Sequence, residues 1–379
     1  MRYDVAVIGL GAMGAAAIAH LAARGARVVG IDRYPSGHAL GASSGETRVI
    51  RKAYFEDPAY VPLLERAYAL WRDLEIETGS RLIDPIGMLM VGEPERAGIA
   101  GTLRAARQYD LPVETYSAAE LVRRYPGITP HASEVGVFEP QAGIVFPEAS
   151  VAAHLAVAAR SGAELSFETP MESFETRAGI GRLVLAGGTT IEASRIVVAA
   201  GMWTLQVLPE LDLPLRIQRN VQIWFASATD RFDRGTFPTY FVDRADLPAP
   251  LYGFPAIRGT LKAALHAYGD LGDPETLDRE VRAGDVDAVR AALETFAPAA
   301  AGAFERGKVC SYALTPDGNF IVGRHPLDPA VTIACGFSGH GYKFAPVIGE
   351  IVADLALDGE TRLDIGFLSP TRFPTFPLG

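Results

Sequence analysis

The stretch that most constrains this chain is Gly9-Leu10-Gly11-Ala12-Met13-Gly14, set between an apolar run at residues 3–8 and an Ala-rich run at 12–24. The first run reads as a strand and the second as a helix, which Gly25 ends. Val28 to Ile31 then forms a second apolar strand finishing at Asp32. In such a strand–turn–helix unit the first glycine permits the tight turn and the second lets a pyrophosphate approach the backbone. The third lets the helix pack closely on the strand. The phosphate then sits at the positive end of the helix. Asp32, 23 residues beyond Gly9, ends the second strand where a carboxylate can accept hydrogen bonds from ribose hydroxyls. A bare glycine motif is common among 39 glycines, but strand, helix, second strand and acid are all in register here. The unit predicts dinucleotide binding and does not separate NAD from FAD.

Both strands are apolar throughout, so they belong inside a parallel sheet covered on two faces. Residues 34–47 are loop-like, and helices are expected over roughly 58–78, 149–161, 285–296 and 342–357. Further buried strands are expected at 195–199 and 331–335. Between them, 215–268 carries short β-prone runs separated by Pro, Gly and Asp, the pattern of an antiparallel sheet. The fold expected is therefore α/β: a discontinuous Rossmann-type domain from residues 1–85, 146–214 and 317–379, and a second antiparallel-sheet (α+β) substrate domain from 86–145 and 215–316. At 379 residues, 49% hydrophobic and 21% charged, the chain has the length and balance for two folded domains. A formal charge of −10 argues against nucleic acid as a partner. With two cysteines and no signal-peptide layout or apolar run of ~18 residues, a cytoplasmic protein outside the membrane is expected. None of the seven histidines forms an HxxxH pair or a cluster with the cysteines, so no metal is expected.

Four more segments add to the N-terminal unit. They are Gly41-Ala-Ser-Ser-Gly-Glu-Thr-Arg-Val-Ile-Arg51, Tyr252-Gly-Phe-Pro with Leu261-Lys-Ala-Ala-Leu-His266, Val309-Cys-Ser-Tyr through Phe320, and Gly336-Phe-Ser-Gly-His-Gly-Tyr-Lys343. Over nearly the whole chain, in order and spacing, these resemble the monomeric sarcosine oxidase and N-methyltryptophan oxidase family of FAD-dependent amine oxidases. The resemblance implies FAD, attached through a thioether at Cys310. It also implies cofactor contacts from Gly9, Gly11, Met13, Gly14, Asp32, Arg33, Ser43, Thr47, Arg48, Gly201, Trp203, Gly339, His340 and Gly341. Arg51 and Lys343 match the family's pair for the substrate carboxylate, and charge-assisted donors suit a buried carboxylate. The backbone N–H groups of Gly339, His340 and Gly341, before the last helix, are expected to stabilise negative charge on the reduced ring.

Lys262 matches the family lysine that promotes reaction with oxygen. His266 and Tyr252 match substrate-side positions that adjust the proton state of the amine; packing in the domain interface is the other reading of both. Tyr312 matches a pocket-lining tyrosine, and Cys335 reads as a small buried hydrophobe. The sequence departs from the family pattern at Ser43 and Ser44, where two histidines are common, and at Glu46, where aspartate is. Phe241 stands where a smaller side chain is often found, which points away from sarcosine itself.

The function these features imply is oxidation of a secondary amino acid, sarcosine or another N-methyl or N-alkyl amino acid, by a monomeric enzyme. The imine product hydrolyses, and O2 is reduced to H2O2. Oxidation of a cyclic or primary L-amino acid, or a flavin dehydrogenase using another acceptor, stays open. Modification of tRNA fits the acidic charge poorly, and a non-enzymatic nucleotide-binding regulator would leave Arg51, Lys262 and Lys343 without a shared role.

Overall fold

The computed structural model describes residues 2–373 apart from 178; the expected first domain reaches beyond these at residue 1 and at 374–379. The apolar strand Arg2–Ile8 pairs in parallel with Val28–Ile31 on one side and with Thr190–Val198 on the other. Glu164–Ser166 extends the parallel set beyond Val28–Ile31, and Val331–Cys335 extends it beyond Thr190–Val198. Alternate residues of the first strand face opposite ways. Val5 and Val7 join Ile18 and Leu21 of the helix Ala12–Ala23, with Val347 and Ile351 of the helix Ala345–Leu357. Ala6 and Ile8 face the opposite core.

That second face is covered differently from the doubly wound expectation. Leu183 and Leu185 of the antiparallel hairpin Met171–Arg177/Ile180–Leu185, with Leu208, Leu211 and Leu213, pack there in place of helices. Ile180–Leu185 buries alternate side chains, so its period is that of a strand. The expected helices appear at Val61–Thr78, Pro147–Arg160, Ala283–Phe296 and Ala345–Leu357. The last is preceded by one 3-10 turn, Tyr342–Phe344.

The β-prone middle of the chain forms a nine-stranded sheet. Arg216–Ala226, Thr260–Leu265, Leu251–Ile257 and Thr239–Asp243 lie side by side as antiparallel neighbours, and Phe304–Leu314 adds to the first. The sheet continues through Met88–Gly92, Val135–Glu139 and Glu114–Ser117. It is not antiparallel throughout, because Thr239–Asp243 and Met88–Gly92 run parallel. These strands come from separate stretches of chain, so no hairpin joins them. A small third sheet pairs Gly143–Val145 with Arg48–Ile50 and Ile83–Asp84. By pairing, residues 143–145 go with segments assigned to the first domain, although the expected boundary places them in the second.

Candidate active site

Gly9 leaves its strand at φ +91°, and a Cβ there would lie 2.6 Å from the Ala199 carbonyl oxygen. At Gly14 a Cβ would lie 1.8 Å from the Gly9 carbonyl oxygen, so only glycine lets the helix approach its own strand. The turn thus set forms one end of a cavity of about 880 Å³. Gly9, Gly11, Met13, Asp32, Arg33, Ser43, Arg48, Gly201, Trp203 and Cys310 line it, and so do Gly339, His340 and Gly341. Its other end is lined by Arg51, Phe241, Tyr252, His266, Tyr312 and Lys343. Three expected site residues, Gly14, Thr47 and Lys262, are buried but are not on this wall.

The polar groups around the cavity suit a dinucleotide. Trp203 Nε1 and Gln222 Oε1, both in wall residues, are buried without a hydrogen-bond partner. Buried polar atoms left unpaired are what a bound polar ligand satisfies. Asp32 does more than face the cavity. Its carboxylate accepts the Leu10 N–H at 2.8 Å and the Tyr34 N–H at 2.9 Å, tying the second strand to the glycine turn. Ser43 Oγ accepts the Ala12 N–H at 3.0 Å, and Arg33 pairs with Glu275 at 2.7 Å.

The loop carrying Glu46 is held from three sides. Glu148 accepts the N–H groups of Gly45 and Glu46, and the Glu46 carboxylate binds Arg306 at 2.7 Å and the Trp224 indole at 3.2 Å. Lys262 Nζ donates to the carbonyls of Gly45 and Thr47 at 2.8 and 2.7 Å. Burial, then the Arg48 charge, holds this ammonium well below the usual lysine range. Cys310 is also buried, with its Sγ 3.7 Å from Arg48 Nη2. Cys335, by contrast, lies in a strand among apolar side chains, and burial pushes its thiol up to about 12.

The two expected carboxylate-binding cations converge, but neither stands free. Arg51 Nη2 lies 2.6 Å from each oxygen of Glu56, and Nη1 donates to the Ala53 carbonyl. Burial alone would raise the Glu56 carboxyl, yet Arg51 and Lys343 are among the cations that bring it down to about 2. Lys343 donates to the His340 carbonyl at 2.6 Å and lies 3.4 Å from the Tyr54 hydroxyl. Burial and the Arg51 charge lower it to about 7. Glu56, Tyr54, Gln222 and Glu148 were not legible as site residues; Glu56 follows Arg51 by five positions in a loop with no periodicity to mark it.

His340 departs from expectation in one respect. Its backbone N–H is taken by the Phe337 carbonyl at 3.0 Å, so it is not available to a ligand as Gly339 and Gly341 were expected to be with it. Its ring Nε2 must donate to the Gly318 carbonyl, which leaves Nδ1 to accept from the Tyr54 hydroxyl at 2.6 Å. Burial lowers both His340 and His266 to about 4, so both rings are neutral at pH 7. His266 stands among Phe241, Tyr252 and Tyr312, with ring centroids 5.6–6.2 Å away. Among the described residues, no group of three His, Cys, Asp or Glu side chains could hold a metal ion, and no helix is long and apolar enough to cross a membrane.

A glycine-turn sheet and a second sheet share one cavity that suits a dinucleotide, and comparison with known proteins supplies the class. Residues 4–355 match the family model described as FAD dependent oxidoreductase, and the chain belongs to that family. It is 44% identical over 382 residues to a monomeric sarcosine oxidase of Streptomyces avermitilis, covering 99% of each chain. It is 35% identical to an N-methyl-L-tryptophan oxidase of Yersinia pestis, covering 98% of this chain and 100% of that one. Among solved structures, a variant of NikD, an unusual amino acid oxidase essential for nikkomycin biosynthesis, superposes with a TM-score of 0.87 at 25% identity, covering 97% of each chain. The expected fold class, the FAD cofactor and the oxidoreductase assignment therefore hold.

Proposed function

We propose that this enzyme oxidises secondary amino acids, N-methyl or N-alkyl, to imines that hydrolyse in water, with O2 reduced to H2O2. The observation that carries the reading is the pair Arg51 and Lys343, buried at one end of the cavity that begins at the glycine turn. Bound FAD supplies the two-electron acceptor. Arg51 and Lys343 hold the substrate carboxylate, and Glu56 yields Arg51 to it. Phe241, Tyr252 and Tyr312 exclude water and fix the amine. His266, neutral at pH 7, places no like charge beside that amine.

Lys262 is the cation that assists the reaction with oxygen, acting from behind the Gly45–Thr47 carbonyls that hold it. Cys310 is the point of covalent attachment, supported by its position on the cavity wall beside Arg48. The enzyme works as a monomer in the cytoplasm, a reading supported by the relatives' name and by the cysteine usage.

The deciding experiment mixes the yellow holoenzyme anaerobically with sarcosine, larger N-methyl amino acids, L-proline and glycine, then admits air. Bleaching by N-methyl amino acids, followed by stoichiometric peroxide on aeration, is the expected result. Bleaching by glycine alone would overturn the secondary-amine class, and bleaching by L-proline alone would overturn the N-methyl reading in favour of a cyclic secondary amino acid. Bleaching without peroxide would make the enzyme a dehydrogenase. Acid precipitation should leave flavin on wild-type protein and release it from Cys310→Ser.

A further inference from the structure

Three side chains of the substrate end, Phe55, Phe241 and His266, face two cavities at once. Behind them lies a second cavity of about 500 Å³, bounded by Glu95, Arg96, Ala97, Gly98, Asp243 and Pro250. The partition is built of rings. Phe55 and Phe241 have centroids 5.3 Å apart, and Phe241 meets His266 edge-on at 6.1 Å. Phe55 also lies under the Arg51 guanidinium, 4.4 Å from its ring centroid, so the partition begins one side chain away from the carboxylate site.

The charged groups of this second cavity largely satisfy one another. Arg96 donates twice to one oxygen of Asp243, at 2.9 and 2.6 Å, and the Gly98 N–H takes the other at 3.0 Å. The first turn of the helix Ala97–Gln108 therefore has its acidic partner already and is no anion site. Apart from the exposed Glu95 at its edge, what remains for a ligand is the apolar surface of Phe55, Phe241, Pro250 and Ala97.

We propose that this cavity is the distal part of the substrate site and takes an aromatic or large aliphatic side chain on the α-carbon. The substrate's carboxylate would lie at Arg51 and Lys343, and its side chain would reach the second cavity by turning a ring of the partition aside. The inference rests on the amino-acid oxidase reading and narrows it from small N-methyl amino acids to those with a large apolar side chain.

The test has two arms. In the first, kcat/KM is compared for sarcosine and N-methyl-L-phenylalanine with wild type and Ala97→Phe; Ala97 is exposed and bounds only the second cavity. The wild type should prefer the aromatic substrate at least tenfold, and Ala97→Phe should lower that ratio at least tenfold. An unchanged ratio in Ala97→Phe, or a wild-type preference for sarcosine, overturns the proposal. In the second arm, the carboxylates acetate and 3-phenylpropionate, which carry no amine to oxidise, are titrated into wild-type holoenzyme by calorimetry. The longer acid should bind at least tenfold more tightly, and equal affinity overturns the proposal. If no amine bleaches the flavin, the oxidase reading fails, while this second arm still decides whether the cavity takes an apolar tail.

Discussion

Burial holds the Lys343 ammonium near pH 7, with the Arg51 charge pushing the same way. Its charge therefore falls away across the pH range in which enzymes of this kind are assayed. A carboxylate ligand gains from the protonated form, so acetate should bind progressively more weakly as pH rises through about 7, by up to ~10-fold per unit. Titrations at several pH values check this, and Lys343→Met should bind acetate weakly at every pH with the slope lost. The same lowered pKa has a sign for stability: between about 7 and the ordinary lysine value the unfolded chain binds the extra proton, so this residue's contribution to stability grows as pH rises through that window. Lys262 is lowered too, but its two carbonyl acceptors leave it no role in holding a carboxylate. Lys262→Met should therefore slow flavin reoxidation by roughly 10² or more, the scale of a lost charge-stabilising group. Flavin reduction should change far less, and stopped-flow measurement of the two half-reactions separates them.

The element that depends most on one residue is the helix Ala12–Ala23. A methyl group at Gly14 would overlap the Gly9 carbonyl, and neither backbone can retreat without breaking the parallel pairing of Arg2–Ile8. Gly14→Ala should cost about 3 kcal/mol or more, the upper range for overpacking, and release FAD; urea unfolding and absorbance near 450 nm report the two effects. This element was legible in the sequence because its signals are local: an apolar run, three glycines at fixed offsets, an alanine stretch. The final helix was legible for the same reason, through Val347, Ile351 and Leu355. The parallel pairing of Met88–Gly92 with Thr239–Asp243 was not, since nothing local in either strand marks a partner so far away in sequence. Nor was the Glu56 carboxylate on Arg51, which depends on a loop path rather than a period. The hairpin covering the second face of the first sheet was missed because the expected fold put helices there.

At the scale of the molecule, ion pairs differ in worth with their burial. Arg33 and Glu275 are both about two-fifths exposed, and such a pair contributes roughly 0–1 kcal/mol. Within the second sheet's own core, Arg244 and Glu134 are each 1% exposed, and Arg244 also binds the carbonyls of Thr129 and Thr295. Arg244→Met would strand a buried carboxylate and should destabilise the protein by about 3–5 kcal/mol, measured by denaturant unfolding. FAD should remain bound in the folded fraction, since Arg244 is not on the cavity wall. Two helices far apart in sequence also pack against each other. The helix Ala12–Ala23 lies against Ala345–Leu357, where a Cβ on Gly349 would come within 2.6 Å of Ala16. During synthesis the first helix leaves the ribosome more than three hundred residues before its partner. At ordinary elongation rates that interval is on the order of tens of seconds. In that interval the helix can pack on its own strands and then on Pro147–Arg160, while the part of its face that Ala345–Leu357 covers stays open. The cofactor cavity likewise gains the stretch from Gly336 to Lys343 of its wall only near the end of synthesis, so cofactor capture comes late in folding.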